Sequence, residues 1–298
     1  MTVSFFNFVF LVTTQKPHIS LFDKSYNKTK SNQYKLYVEL SNNGLKHTIL
    51  DTQSNTFIGI EEYRFADIYN DYSLVEPLKE IISSNEIYQN EFKVIIVAFV
   101  NNRSTLIPNA IYNATKLTNY HQFNFSKQEE DQFYADQLIN LSAYNIYSIP
   151  DFITDTFSGL KNVQFKHFSS ALIETALIEA KREKALSLIN VHILPSSFQV
   201  VVIKNQKLKL YNSFTYQSSE DFIYYLLFVL DQLNINNEKA TIKLTGEVEK
   251  NSVIYTILHK YIKTLNFGIR PENLKFSYVF EETPKHFHYA LFSQFLCE

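Results

Sequence analysis

Residues 189–214, INVHILPSSFQVVVIKNQKLKLYNSF, decide how the chain is read. Runs rich in β-branched residues at 187–194 and 198–203 flank a Leu194-Pro195-Ser196-Ser197 turn, and a third strand follows at 207–211. This predicts an antiparallel meander. A helix begins after it at Ser218-Ser219-Glu220-Asp221, where hydroxyl caps and two carboxylates meet the positive end of the helix dipole. Its body, 222–230, is apolar on nearly every side and is expected to be buried between layers. A strand at 241–245 comes next, then a helix over about 251–264 with Ile254, Ile257, Leu258 and Tyr261 on one face.

The same order occurs half a chain earlier. Strands at 36–40, 45–50 and 56–60 are separated by Ser-Asn-Asn-Gly and Asp-Thr-Gln-Ser-Asn turn clusters, a helix follows over 73–83, and 92–99 is a continuous apolar strand. The segment 109–181 mixes short elements and closes with a helix from about Ser170, capped by Ser169 or Ser170. Sliding one meander over the other pairs Val38 with Val191, and Gly44, Leu45 and Leu50 then meet Ser197, Phe198 and Ile203. Strand meander, helix, strand, helix, appearing twice, predicts two duplicated α/β subdomains with a cleft between them, where a ligand would bind.

Composition narrows the function classes. The chain has 298 residues, 45% of them hydrophobic, enough for a large core. With 28 Lys plus Arg against 30 Asp plus Glu, the net charge of -2 gives no overall footprint for nucleic acid. The basic stretches Lys181-Arg182-Glu183-Lys184 and 204–209 read as the cationic last turn of a helix and a solvated hairpin tip. Cys297 is the single cysteine, which excludes an intrachain disulfide and a cysteine metal cluster and suits a reducing, cytoplasmic location. The apolar run 3–12 resembles a signal-peptide core but lacks a basic flank and a small-residue cleavage site. At about ten residues it is too short to span a bilayer, so it reads as an extra strand or an early translation start, and no membrane span is expected.

Four stretches carry a family resemblance: LSNNGLKHTILD at 40–51, YNSFTYQSSEDFIYYLLFVLDQL at 211–233, LTGEVEKNSVIYTILHKYI at 244–262 and HYALFSQFLCE at 288–298. With the duplicated order, they make the chain similar to a bacterial family of about this length that has an actin-like ATPase fold and no assigned function. The resemblance runs from about Leu21 to the last residue. It implies two ribonuclease H-like subdomains, each a five-stranded mixed sheet flanked by helices. Residues 1–30 would form an N-terminal extension, 31–184 the first subdomain, 185–280 the second, and 281–298 a C-terminal helix packing back on the body.

Active members of the wider superfamily carry Asp-x-Gly at the first hairpin of each half and a Gly-Gly turn near the adenosine. On this sequence the first Asp position falls on Glu39 and its Gly position on Ser41, while the second pair falls on His192 and Leu194, followed by Pro195. Near the adenosine, Gly246 remains and Glu247 stands for the second glycine. Glycine serves phosphate loops because it reaches unusual backbone angles and has no Cβ in the way of the anion. Leu194 offers neither, Pro195 has no N–H to aim at phosphate, and His192 is a poor partner for hydrated magnesium. With five glycines in the chain, no glycine-rich phosphate motif exists. Glu39, Ser41, His192 and Gly246 therefore outline a degenerate nucleotide cleft. No catalytic residue, metal or cofactor is expected.

Other groupings are weaker. His286 and His288, two apart on a helix carried by Phe287, Leu291 and Phe295, would point away from each other and share no ion. No serine sits in a nucleophile elbow. The aromatic cluster of Tyr211, Phe214, Tyr216, Phe222, Tyr224 and Tyr225 reads as core packing, with a partner surface as its alternative. The resulting expectation is a non-catalytic actin-like scaffold with a protein partner. Its rivals are a diverged enzyme with a weak ATP site and a component of an envelope or pilus-type assembly.

Overall fold

Two hairpins laid down 153 residues apart organise the computed structural model, which describes residues 15–66, 68, 70–126, 128, 130–184, 186–272 and 274–297. The first half contributes β1 (Ile19–Phe22), β2 (Tyr34–Ser41), β3 (Gly44–Asp51), β4 (Thr56–Arg64), α1 (Val75–Ser84) and β5 (Val94–Phe99). Then come β6 (Ser104–Pro108), α2 (Leu117–Gln122), β7 (Asp131–Leu138), β8 (Ala143–Pro150), α3 (Asp151–Asp155), β9 (Val163–His167) and α4 (Phe168–Arg182). The second half contributes β10 (Ser187–Ile193), β11 (Ser197–Lys204), β12 (Lys207–Thr215), α5 (Ser219–Gln232), β13 (Thr241–Gly246), α6 (Val253–Tyr261) and β14 (Thr264–Phe267). The chain closes with β15 (Lys275–Phe276) and α7 (Tyr289–Ser293). The apolar run 3–12 lies outside the described residues.

The duplication is literal at the level of register. Cross-strand pairs Val38–His47, Glu39–Lys46 and Leu40–Leu45 of β2 and β3 become Val191–Val200, His192–Gln199 and Ile193–Phe198 of β10 and β11. Each half then adds parallel strands in one order, β4-β3-β2-β5-β9 in the first and β12-β11-β10-β13-β14 in the second. The first sheet has seven strands rather than five, because β1 and β15 both pair with the free edge of β4 and cover it. Between β5 and β9 the chain inserts a three-stranded antiparallel sheet, β6-β8-β7.

The helix buried between layers is α4, not α5. Twelve of its residues are buried, and it packs Phe168, Leu172, Ala176 and Leu177 with Leu194, Val201 and Ile203 of the second half. Its polar groups hid this in the sequence: Glu174 accepts hydrogen bonds from Asn140, and Glu179 accepts from Lys243 and Tyr289. It starts at Phe168 with His167 as cap, one to two residues before the serines expected there; Ser169 and Ser170 are spent on His167 and Asp136. Conversely, α5 is one-sided. Its Ser218 and Asp221 form a reciprocal capping box, Phe222 and Leu226 face the sheet, and Tyr224 and Phe228 stand in solvent at 64% and 50% exposure.

Two shorter segments also differ from expectation. Helix α6 stops at Tyr261, which is exposed, while Ile262 turns inward in its place. Near the C-terminus the helix begins only at Tyr289, because His288 adopts a left-handed backbone, φ 53°, that ends helical geometry before it. There α7 seats Leu291 and Phe292 against Tyr37, Phe57 and Ile96 on the first sheet and against Phe280 of the turn after β15.

Candidate functional site

The turns after β2 and β10 face each other, and the cleft between them is small, about 330 Å³. Asn43 Nδ2 of one turn donates to Ser196 Oγ of the other at 3.5 Å, a contact between repeat-equivalent positions. The walls come from Glu39, Ser41, Lys46, Glu62, Leu194, Pro195 and Glu247, among others.

Lys46 occupies the floor. It sits opposite Glu39 on β3, so strand alternation aims both side chains into the cleft. Its ammonium lies 2.5 Å from Glu247 Oε1, where β13 ends, and 3.8 Å from Glu39 Oε1. Burial pulls the ammonium toward its neutral form, but Glu39, Glu247 and Glu62 outweigh this and hold its pKa above the ordinary value. Burial raises the Glu39 carboxyl, with Lys46 opposing. Glu62, paired across the ladder with Lys46, receives Arg64 Nε at 3.3 Å.

The sequence-derived residues divide into two sets. Glu39 and Ser41 line the cleft, but the Ser41 hydroxyl is engaged within its own hairpin, donating to Gly44 O and accepting from Asn43 N. His192 and Gly246 lie behind the wall. His192 is 3% exposed and hydrogen-bonds Thr245 Oγ1 through Nδ1 at 3.0 Å; burial first, then Lys46, pushes its pKa down to about 3. Gly246 is fixed by φ 84° and donates its N–H to His286 O, and a Cβ there would fall 2.2 Å from Ile193 O. Its glycine serves close packing on β10. Lys46 escaped sequence reading, and its only signal was its register opposite Glu39.

The residues present do not fit a phosphate chain with its magnesium ion. Leu194 N–H is already donated to Ser197 O, its carbonyl accepts from Tyr216 OH, and Pro195 has no N–H to give. A polyphosphate would face Glu39, Glu62 and Glu247 at close quarters. Among the described residues no group of three His, Cys, Asp or Glu side chains is arranged to hold a metal ion. His286 Nε2 bonds Val248 O at 2.7 Å, while His288 faces Glu62 at 4.0 Å, so the two histidines serve separate places. One further grouping looks like a nucleophile pair, Ser169 Oγ 2.6 Å from His167 Nδ1, with Asn101 Oδ1 3.0 Å from Nε2. Both Ser169 and His167 are buried, and burial holds the imidazole near pKa 3, so it is a structural knot.

The profile of the family described as "Protein of unknown function (DUF3822)" matches residues 23–265. The chain belongs to this family. A solved protein from Bacteroides thetaiotaomicron, described as having an actin-like ATPase fold and unknown function, superposes with TM-score 0.73 at 23% identity, over 82% of this chain and 93% of that one. A chain of the PilM-PilN type IV pilus biogenesis complex superposes with TM-score 0.58 at 12% identity, over 89% of this chain and 98% of that one. No curated protein matches significantly in sequence. The DUF3822 chain thus has the actin-like ATPase fold. Among its described residues no helix is long and apolar enough to cross a membrane.

Proposed function

We propose that this protein is a non-catalytic, actin-like scaffold, a pseudo-ATPase whose business is binding another protein. The observation that carries this is the Lys46 ammonium, held by Glu247 and Glu39 where the two hairpins converge. The cleft is lined by the chain's own charges, and Glu39, Ser41, His192 and Gly246 are relics of a nucleotide site. The PilM-PilN complex supports the idea that this fold can act through a protein partner. A single cysteine suits a reducing compartment, and we place the protein in the cytoplasm.

The partner surface is the outer face of α5. Of the aromatic cluster, Phe214, Tyr216 and Phe222 pack on Phe198 in the second core, while Tyr224 stands outside beside Phe228, which the cluster did not include, their rings 6.5 Å apart and nearly parallel. Exposed aromatics of this kind are the usual anchors of protein interfaces. The purified protein should hydrolyse ATP no faster than buffer. Substituting Tyr224→Ala and Phe228→Ala together should abolish capture of a partner from native lysate, while the melting temperature stays within about 2 °C. Undiminished capture by the double variant, or hydrolysis above background, would sink this reading.

A further inference from the structure

A row of exposed lysines crosses the end of the second sheet that points away from the cleft. Strand order there is β12-β11-β10-β13-β14. Along this end Lys207 opens β12, Lys204 closes β11, Leu186 directly precedes β10, Lys239 lies just before β13 and Lys263 directly precedes β14. At the spacing of neighbouring strands the row spans roughly 20 Å. All four lysines are exposed, and among the described residues none is within ion-pair distance of a carboxylate. Lys204 and Lys207 are direct cross-strand partners. Like charges placed so cost stability.

At the centre of the row stands Leu186, 79% exposed, its carbonyl tied to Asn205 N–H at 2.9 Å so that the side chain projects from a fixed backbone. We propose that this end of the second lobe docks on an anionic lipid surface, with the lysines on headgroup phosphates and Leu186 entering the interface. Several lysines beside an apolar side chain suit peripheral membrane binding, where each lysine contributes roughly a five-fold factor. A nucleic acid or an acidic polypeptide would use the charges equally well but gives Leu186 no role. This surface lies far from the cleft and does not depend on whether the cleft binds nucleotide.

The test is co-sedimentation of the purified full chain with vesicles of phosphatidylcholine alone and of phosphatidylcholine mixed with phosphatidylglycerol. Binding to the mixed vesicles should be at least about ten-fold tighter and should vanish at 1 M salt, where the screening length is about 3 Å. The variant carrying Lys204→Glu, Lys207→Glu and Lys239→Glu should lose at least about ten-fold, and Leu186→Ser several-fold, both with unchanged melting curves. Equal binding to the two vesicle types, or indifference to the charge reversals, overturns the proposal. So does complete competition by polyglutamate or single-stranded DNA together with indifference to Leu186→Ser, which would assign the row to a polyanion other than lipid.

Discussion

Taking the protein from pH 7 to pH 5 is expected to unfold it, or to bring it within a few kcal/mol of unfolding. Four histidines, His47, His167, His192 and His288, are buried. Burial is the leading cause in each case, lowering His47 to about 4 and the other three to about 3, from 6.5. Below pH 6.5 the unfolded chain takes up a proton at each of these sites and the folded chain does not. Their contribution is therefore complete above pH 6.5 and is lost as pH falls toward 3 to 4. Each contributes about 1.4 kcal/mol per pH unit in that window, so four sum to roughly 8 kcal/mol at pH 5, comparable with the whole stability of a domain. Glu39 and Asp136, whose carboxyls burial raises, act in the opposite direction and recover part of this loss. Chemical denaturation followed by circular dichroism at stepped pH measures the slope. A stability flat between pH 7 and pH 5 would contradict the burial of these imidazoles.

Lys46→Met should cost about 3 kcal/mol, lowering the melting temperature by roughly 6–12 °C. The substitution keeps the aliphatic stem but leaves Glu39 buried without its counter-charge and removes the Lys46–Glu247 bridge between the halves. The loss lies at the low end for a broken buried pair because Glu247 keeps 30% of its side chain in solvent. Adding Glu39→Gln and Glu247→Gln should restore most of the loss, since the stranded charges are then gone. Absence of any loss in the single variant would mean that Lys46 does not bind the halves together.

Much of the fold was legible because its signal is periodic and repeated. The 187–194 and 198–203 strands align with 34–41 and 44–51 pair for pair, and the Ser218–Asp221 capping box announces α5. What escaped depends on contacts distant in sequence. The burial of α4 was hidden by Ser169, Ser170, Glu174 and Glu179, whose partners come from Asp136, Asn140, Lys243 and Tyr289. The capping of the β4 edge by β1 and β15 joins segments at opposite ends of the chain, each too short to carry a pattern. In the site, the departures at Leu194 and Pro195 could be read directly. Lys46 could not, because a lysine on a strand ordinarily faces water and only the convergence of Glu39 and Glu247 makes it an interior group.

Calorimetric titration of the intact protein with magnesium ATP tests the self-bridged cleft most directly. With Lys46 bridged to Glu247 and no free N–H at Leu194 or Pro195, millimolar nucleotide should give only heat of dilution and leave the melting temperature unchanged. A saturable one-site isotherm, accompanied by a rise in melting temperature that tracks nucleotide concentration, would contradict the account.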